Sequence, residues 1–165
     1  MERKFLFCLA YFVLFFGLIC SSAMGQETKS SSMRTHGREE VVAFVEKAVD
    51  YAKVNGKERA LEEFMDKNGE FIKGELYIYA YDFNGTVLSH GGQPELAGQN
   101  LIGMTDANGV QVIKELIKLA KQGGGWLEYL WPNPEHSNTV EPKAGYVIKI
   151  DDTWFLGSGI YEPVH

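Results

Sequence analysis

Residues 76–86 read Leu76-Tyr77-Ile78-Tyr79-Ala80-Tyr81-Asp82-Phe83-Asn84-Gly85-Thr86. Leu76, Ile78 and Ala80 fall on one side of a two-residue period, and Tyr77, Tyr79 and Tyr81 on the other. That period is the mark of a β-strand with two different faces. Asp82-Phe83-Asn84-Gly85 is a turn signal, and Thr86 to His90 returns as a second strand. So short a connection forces antiparallel pairing. The first structural expectation is therefore an antiparallel sheet with one aliphatic face and one tyrosine-bearing face.

Outward from this pair, the C-terminal side begins with a loop over Gly91–Asn108 that carries Pro94. The spacing then predicts a helix over Val110–Lys121, with Val112, Ile113, Leu116 and Ile117 inward and Gly123 to Gly125 ending it. Trp126–Trp131 reads as a strand, Pro132–Pro142 as a second loop, and Lys143–Ile150 with Thr153–Tyr161 as a hairpin across Asp151-Asp152. On the N-terminal side, Glu39–Asn55 has helical spacing, with Val41, Val42, Val45, Ala48, Val49 and Ala52 on one face and Gly56 as a stop. A second helix over Lys57–Lys67 buries Leu61, Phe64 and Met65. Helix, helix, two strands, loop and helix, then three strands gives an α+β domain: a five-stranded antiparallel sheet with helices packed on it.

The first residues concern export. Arg3 and Lys4 precede an unbroken apolar run from Phe5 to Cys20, followed by Ser21-Ser22-Ala23-Met24-Gly25. This is the pattern of a secretory signal cut before Gln26. The run makes about 24 Å of helix at 1.5 Å per residue, short of a hydrocarbon core of about 30 Å; an uncleaved anchor and a lipid-modified Cys20 are the alternatives weighed. The expected division is a signal peptide over 1–25, a flexible Ser-rich leader over 26–37 and one domain over 38–162. Both cysteines, Cys8 and Cys20, lie in the signal segment, which excludes disulfides, thiolate metal sites and cysteine nucleophiles from the rest. The chain's net charge is −6, and the signal segment itself is positive, so the domain is acidic. Nucleic acid and anionic membrane surfaces are poor partners for it.

Chemistry-bearing motifs are sparse. His36, His90, His136 and His165 show no metal-ligand spacing. Gly157-Ser158-Gly159 lacks the spacing of a nucleophile elbow. Asp82-Phe83-Asn84-Gly85 and Asp106-Ala107-Asn108-Gly109 lack the acid ladder of a calcium loop and read as turns. Asn84-Gly85-Thr86 is a formal glycosylation sequon that the turn already explains. No catalytic residue, metal or cofactor is expected. The aromatics carry more. Tyr77 and Tyr79 alternate on one strand, Tyr129 and Trp131 on another, and Tyr146 lies on a neighbouring one. A buried tyrosine hydroxyl needs a partner, so tyrosines gathered on one sheet face point to a pocket with convergent polar groups. Lys143 opens a strand after Pro142, where it can meet an anionic group or stand exposed as most lysines do. His90 ends a strand before a Gly-rich loop and has the same two readings.

Read together, the residues from Leu76 to Thr86, then His90, Pro94-Glu95-Leu96, Gly98-Gln99-Asn100-Leu101 and Asp106-Ala107-Asn108-Gly109 resemble the first half of a single Cache domain. Glu128-Tyr129-Leu130-Trp131-Pro132, Pro142-Lys143, Tyr146-Val147, Trp154 and Gly157-Ser158-Gly159-Ile160-Tyr161 resemble its second half. The resemblance spans Glu39 to Tyr161. It implies a PAS-like extracytoplasmic sensor fold with a long N-terminal helix behind the sheet, as found in chemoreceptors and histidine kinases. By similarity, the ligand pocket draws on Tyr77, Tyr79, His90, Tyr129, Trp131, Lys143 and Tyr146. The family commonly senses small metabolites, often short organic acids. The resemblance also implies a membrane receptor or kinase as partner and a homodimer through the N-terminal helix. Two departures stand out. Gly91 replaces the proline that often follows the histidine, which would loosen the pocket rim. Ala144-Gly145 replaces the usual Leu-Ser after the Pro-Lys pair, which would enlarge the pocket or shift the ligand.

The leading functional expectation is a secreted or periplasmic sensor domain that binds a small organic acid and signals through a membrane partner. A ligand-binding accessory to a transporter or enzyme is the alternative. A small hydrolase or isomerase using His90 and a carboxylate lacks a visible nucleophile–base pair.

Overall fold

The computed structural model describes residues 37–162. The expected signal peptide and most of the leader lie outside the described residues. Helix α1 (Arg38–Asn55) buries Val41, Phe44, Val45, Ala48, Val49 and Ala52, the i, i+3, i+4, i+7 stripe of a helix resting on a core. Phe44 takes the inward place expected of Val42, which is only half-buried. The helix stops at Gly56, whose φ of 82° lies in the region that favours glycine. Helix α2 (Lys57–Glu63) is shorter than its apolar spacing predicts. Met65 and Asp66 bond back three residues, and the Asp66 carboxylate accepts from the Asn68 N–H. That local bond offers the backbone an alternative to the helix.

A two-residue strand, β1 (Ile72–Lys73), pairs with β2 (Leu76–Tyr77) across Gly74-Glu75. The chain breaks at Ile78 and resumes as β3 (Tyr79–Asp82), then β4 (Val87–His90). After the Gly91–Gln111 segment come α3 (Val112–Lys121), β5 (Gly124–Asn133), β6 (Thr139–Lys149) and β7 (Trp154–Tyr161). The five strands β3–β7 form one antiparallel sheet in the order β4-β3-β7-β6-β5. This is the α+β architecture with a five-stranded antiparallel sheet that the period switch implies.

The loop expected over Pro132–Pro142 is instead mostly hairpin. Leu130 pairs with Pro142, Trp131 with Glu141, Pro132 with Val140 and Asn133 with Thr139. Pro142 is tolerated because its carbonyl accepts from Glu162 N–H. In an antiparallel ladder a residue's N–H points the same way as its carbonyl, so the missing donor is not one β5 needs. Ser137 and Asn138, with φ of 56° and 60°, close the tip.

The sheet separates two cores. Helix α1 lies on the face that carries Leu76, Ile78, Ala80, Ala144, Trp154 and Leu156. There Phe71 meets Phe44, Tyr51 and Phe64 at centroid distances of 5.9, 5.3 and 5.0 Å. Helix α3 lies on the other face, over Tyr77, Tyr79, Tyr81, Tyr129, Trp131, Val147 and Phe155. The alternation in 76–81 therefore sorts aliphatic from tyrosine between two packed layers.

The two Asp-X-Asn-Gly stretches fold alike. Asp82 Oδ1 accepts from Asn84 N and Thr86 N at 2.9 and 2.8 Å. Asp106 Oδ1 accepts from Asn108 N and Val110 N, both at 2.9 Å. Gly85 and Gly109 supply φ of 88° and 84°. Both carboxylates cap turns, and Asp106 reaches further: its Oδ2 accepts from Leu130 N on the edge strand β5 at 2.8 Å. Among the described residues no helix is long and apolar enough to cross a membrane.

Candidate functional site: a tyrosine-walled cavity around a buried lysine

Strand register builds the site. Tyr129 on β5 lies opposite Lys143 on β6, and Lys143 lies opposite Tyr161 on β7. Directly opposed residues on one sheet face are the closest side-chain neighbours a sheet offers. One row of the sheet thus reads Tyr129–Lys143–Tyr161. A parallel row sets His90 on β4 against Tyr79 on β3, and Tyr79 against Gly157 on β7. Between the rows Gly145 lies opposite Gly159. A Cβ on Gly145 would stand 2.8 Å from the Tyr129 ring and hydroxyl and 3.0 Å from the Tyr79 hydroxyl; one on Gly159 would stand 2.9 Å from Lys143 Cε. The glycines are the floor on which the tyrosines and the lysine stem lie. Gly145 therefore does not enlarge the cavity as the sequence suggests; Tyr129 and Tyr79 occupy the space it leaves. Gly91 does not loosen the rim either, because a Cβ there would meet the Phe64 carbonyl at 2.9 Å.

The cavity above this floor is walled by Tyr77, Tyr79, Tyr81, His90, Tyr129, Trp131 and Lys143, and roofed by Val112, Ile113 and Leu116 of α3. It leaves about 10 Å³ for the centre of a water-sized sphere, the least that seats one water. A wider outer cleft of about 200 Å³ is lined by Asn108, Glu128, Leu130, Pro142 and Glu162 together with Tyr129 and Lys143. Those last two side chains belong to both spaces, so they form the partition between them. At the rim of the cleft Arg38, at the start of α1, bridges Glu128 and Glu162 at 2.7 and 3.0 Å.

Lys143 is 2% exposed. Its Nζ donates to the Tyr77 hydroxyl at 2.7 Å and to the Tyr161 hydroxyl at 3.3 Å, and it sits 3.9 and 4.5 Å from those two ring centroids. Burial pushes the ammonium well below its ordinary value, and Glu75 opposes this only in part. The Tyr161 hydroxyl donates onward to the Pro132 carbonyl at 2.6 Å. The Tyr79 hydroxyl points to the Ser158 carbonyl, at 3.5 Å. Burial, first among the causes, raises all five tyrosines, so their hydroxyls stay protonated and can donate.

His90 is 1% exposed and lies nearly parallel to Tyr79 and Trp131, at 6.1 and 5.8 Å between ring centroids. Its Nδ1 accepts from Gln93 N at 2.9 Å, which places the hydrogen of the neutral ring on Nε2. Burial, and then Lys143, lower its pKa to about 3. Gln93 also accepts from Trp131 Nε1 at 3.1 Å, so one residue orients two walls.

Of the seven sequence-derived positions, Tyr77, Tyr79, His90, Tyr129, Trp131 and Lys143 meet around this cavity. Tyr146 does not, and the reading is corrected there. Tyr146 is three residues beyond Lys143 on a regular strand, which puts it on the opposite face, beside Trp126 at 5.1 Å and against the α1 core. Tyr81, Tyr161, Gln93 and the α3 roof were not singled out. Tyr81 and Tyr161 share the strand parity of Tyr79 and Gly159, a signal that could have found them; Gln93 and α3 are placed by tertiary packing alone. Ser158 is tied to the fold, its hydroxyl donating to the Tyr77 carbonyl at 2.7 Å.

Comparison with known proteins points the same way. The chain is 36% identical over 86 residues to the sensor histidine kinase MctS of Rhizobium johnstonii, which is 52% of this chain and 18% of that protein. It therefore spans under a fifth of that relative. The crystal structure of a methyl-accepting chemotaxis protein from Vibrio parahaemolyticus superposes with a TM-score of 0.67 at 32% identity, covering 74% of this chain and 86% of that one. A Cache chemosensory domain studied for carboxylic acid recognition superposes with a TM-score of 0.64 at 26% identity, covering 76% and 92%. The sequence profile of the Cache domain matches residues 30–163, which takes in all of the described residues, and the chain belongs to the Cache domain family.

Proposed function

We propose that this chain is an extracytoplasmic sensor domain that binds a small carboxylate beside Lys143, where the tyrosine-walled cavity, with room for one water as it stands, widens around the acid, and that it passes the signal to a membrane receptor or histidine kinase. The observation that carries the reading is Lys143: a buried amine whose hydrogen bonds go to tyrosine hydroxyls rather than to a carboxylate. Burying such a group unpaired is costly, and an anionic ligand supplies the pairing. Protonated tyrosine hydroxyls and the His90 Nε2–H add donors of fixed direction, and Trp131 with the α3 residues adds apolar wall. The Cache chemosensory domain studied for carboxylic acid recognition gives a precedent in the family. The role is binding rather than catalysis: His90 Nδ1 is spent on the Gln93 backbone and the Ser158 hydroxyl on a carbonyl. Export through residues 1–25, with cleavage before Gln26, belongs to the same proposal.

The test is a thermal-shift screen of residues 26–165 against short mono- and dicarboxylates, followed by titration calorimetry of each hit. A specific ligand raises the apparent stability by mass action. A charge-assisted hydrogen bond contributes about 1.5–3 kcal/mol, so Lys143→Met is expected to weaken binding roughly ten- to a hundredfold while keeping the apolar stem. Tyr77→Phe is expected to cost less, about 1 kcal/mol, for one neutral bond. Wild-type affinity in Lys143→Met would place the anion elsewhere.

A further inference from the structure

We propose that the cavity takes its acid ligand together with one proton: the carboxylate binds as Lys143 changes from amine to ammonium. The inference rests on the carboxylate reading above and deepens it by naming the species bound, an anion plus H⁺.

The geometry of three atoms carries it. The Tyr161 hydroxyl spends its hydrogen on the Pro132 carbonyl at 2.6 Å. Its oxygen can then only accept, from Tyr77 at 3.1 Å or from Lys143 at 3.3 Å. The Tyr77 hydroxyl, 2.7 Å from Lys143 Nζ, is left with two arrangements. With an ammonium, Nζ donates to Tyr77 and Tyr77 donates to Tyr161. With a neutral amine, Tyr77 donates to the nitrogen lone pair and the amine donates to Tyr161. The ammonium form fills all three contacts; the amine form keeps both contacts of Nζ and leaves only the 3.1 Å Tyr77–Tyr161 contact without a hydrogen, so the network admits a change of charge by turning one hydroxyl, without moving a heavy atom.

The surroundings set which form prevails. From β2 and β3 the lysine is faced by Tyr77 and Tyr79, from β5 by Tyr129, from β7 by Tyr161 and from β4 by His90. The α3 roof brings only Val112, Ile113 and Leu116. The tyrosine hydroxyls are neutral, and burial keeps the imidazole uncharged. Glu75 acts on the lysine and Glu141 on Tyr161, electrostatically; Glu128 and Glu162, on the far side of the partition, are bridged by Arg38. The ring faces of Tyr77 and Tyr161 favour the ammonium, but full burial opposes it, and the opposing effect is the larger. A carboxylate brought to Nζ reverses the balance by direct attraction. The balance is RCOO⁻ + H⁺ + R′NH₂ giving the RCOO⁻···H₃N⁺R′ pair, with no bond to carbon made or broken. Since the ligand-bound lysine holds a proton the free one lacks, affinity falls as pH rises through and beyond the free lysine's pKa.

The experiment is titration calorimetry of residues 26–165 with the tightest acid from the screen, in phosphate and in Tris, from pH 6 to pH 9. The difference in observed heat between buffers of unlike ionisation enthalpy counts the protons taken up. Uptake approaching one per ligand, with affinity falling towards tenfold per pH unit at the alkaline end, is expected, and His90→Asn should keep the uptake. Binding with no proton uptake and flat affinity overturns the proposal while leaving the carboxylate reading intact. Uptake that vanishes in His90→Asn assigns the proton to the imidazole and overturns it as well. Failure of every acid to bind removes the reading on which it rests. A ligand-free measurement is independent of these arms. If Lys143 is a neutral amine in the fold and an ammonium when unfolded, wild-type stability rises from pH 7 to pH 9 relative to Lys143→Met; a parallel pH dependence of the two proteins would overturn the proposal too.

Discussion

Gly145 shows how much of the site is set by what is absent from a side chain. It lies in regular β6 with no left-handed φ, so its backbone accepts alanine. The conflict is only with neighbours, since a Cβ would stand 2.8 Å from Tyr129 and 3.0 Å from the Tyr79 hydroxyl. Both rings are buried, so they cannot move without opening the cavity wall. Gly145→Ala is therefore expected to lose about 1–3 kcal/mol to overpacking, less the few tenths regained from backbone entropy, and to weaken acid binding at least tenfold. Urea unfolding and calorimetry on the one variant check both. Unchanged affinity would mean that Tyr129 and Tyr79 do not shape the bound ligand. Lys143 and Gly145 share a face because strands alternate, and the same rule excludes Tyr146. That exclusion was legible from the sequence: two residues three apart on a regular strand point to opposite sides. The resemblance placed Tyr146 in the pocket where strand parity would have removed it.

Among the elements, the spans of α1 and α3 and the two hairpins around Asp82–Gly85 and Asp151-Asp152 were read nearly as they stand, whereas α2 runs shorter and the pairings of β1 and of the β5–β6 extension were missed. The alternation of 76–81, the α1 stripe and the turns at Asp82 and Asp106 follow from local chemistry. Strand β1 is two residues long and exists only because β2 pairs with it. The β5–β6 extension hid behind Pro132 and Pro142, whose missing N–H groups are harmless only in the register adopted. The Asp106 loop joins both kinds: its turn is local, but its Oδ2 bond to Leu130 N fastens the connection leading into α3 to an edge strand. Asp106→Asn keeps a side-chain oxygen for the turn and presents an N–H where Leu130 needs an acceptor. A loss of about 1–2 kcal/mol is expected, the lower part of the range for charged hydrogen bonds because the carboxylate is half-exposed. Burial raises the Asp106 carboxyl, but the N–H groups of Leu130, Val110, Asn108 and Gly109 together outweigh it and hold the group below its ordinary value. A depressed carboxyl stabilises the fold above its unfolded pKa, and that contribution disappears as pH falls through the folded one. The gap between wild type and Asp106→Asn in urea should thus be full at pH 7 and shrink towards pH 3. A gap that widens in acid would reverse the assignment.

At the scale of the whole molecule, one sheet carries two cores with different work. The α1 face packs aromatic and aliphatic side chains against one another, with Phe71 amid Phe44, Tyr51 and Phe64. The α3 face buries five tyrosine hydroxyls, a histidine and a lysine, and leaves a small space among them. Polar groups in a core are retained only where hydrogen bonds satisfy them, so this face trades packing for a set of oriented donors. Stability and recognition should then separate across the sheet. Phe44→Ala on α1 removes apolar contact from the first core, and a loss of about 3–5 kcal/mol is expected. That is a large share of the roughly 5–15 kcal/mol by which domains are stable. Acid affinity per folded molecule should stay within about twofold of wild type, where 1.4 kcal/mol would be a tenfold change, since Phe44 belongs to the core on the face of the sheet opposite the cavity. Leu116→Ala on α3 removes part of the cavity roof. It should cost about 2–5 kcal/mol and also shift preference towards a longer acid, because the space left lies over the tyrosines rather than in the aliphatic layer. Urea unfolding gives the first quantity for both variants. Calorimetry at 15 °C with acids differing by one and two methylenes gives the second. If Phe44→Ala weakens acid binding tenfold, or Leu116→Ala leaves the order of acids unchanged, the two faces are not divided in this way, and ligand recognition draws on the molecule's packing as a whole.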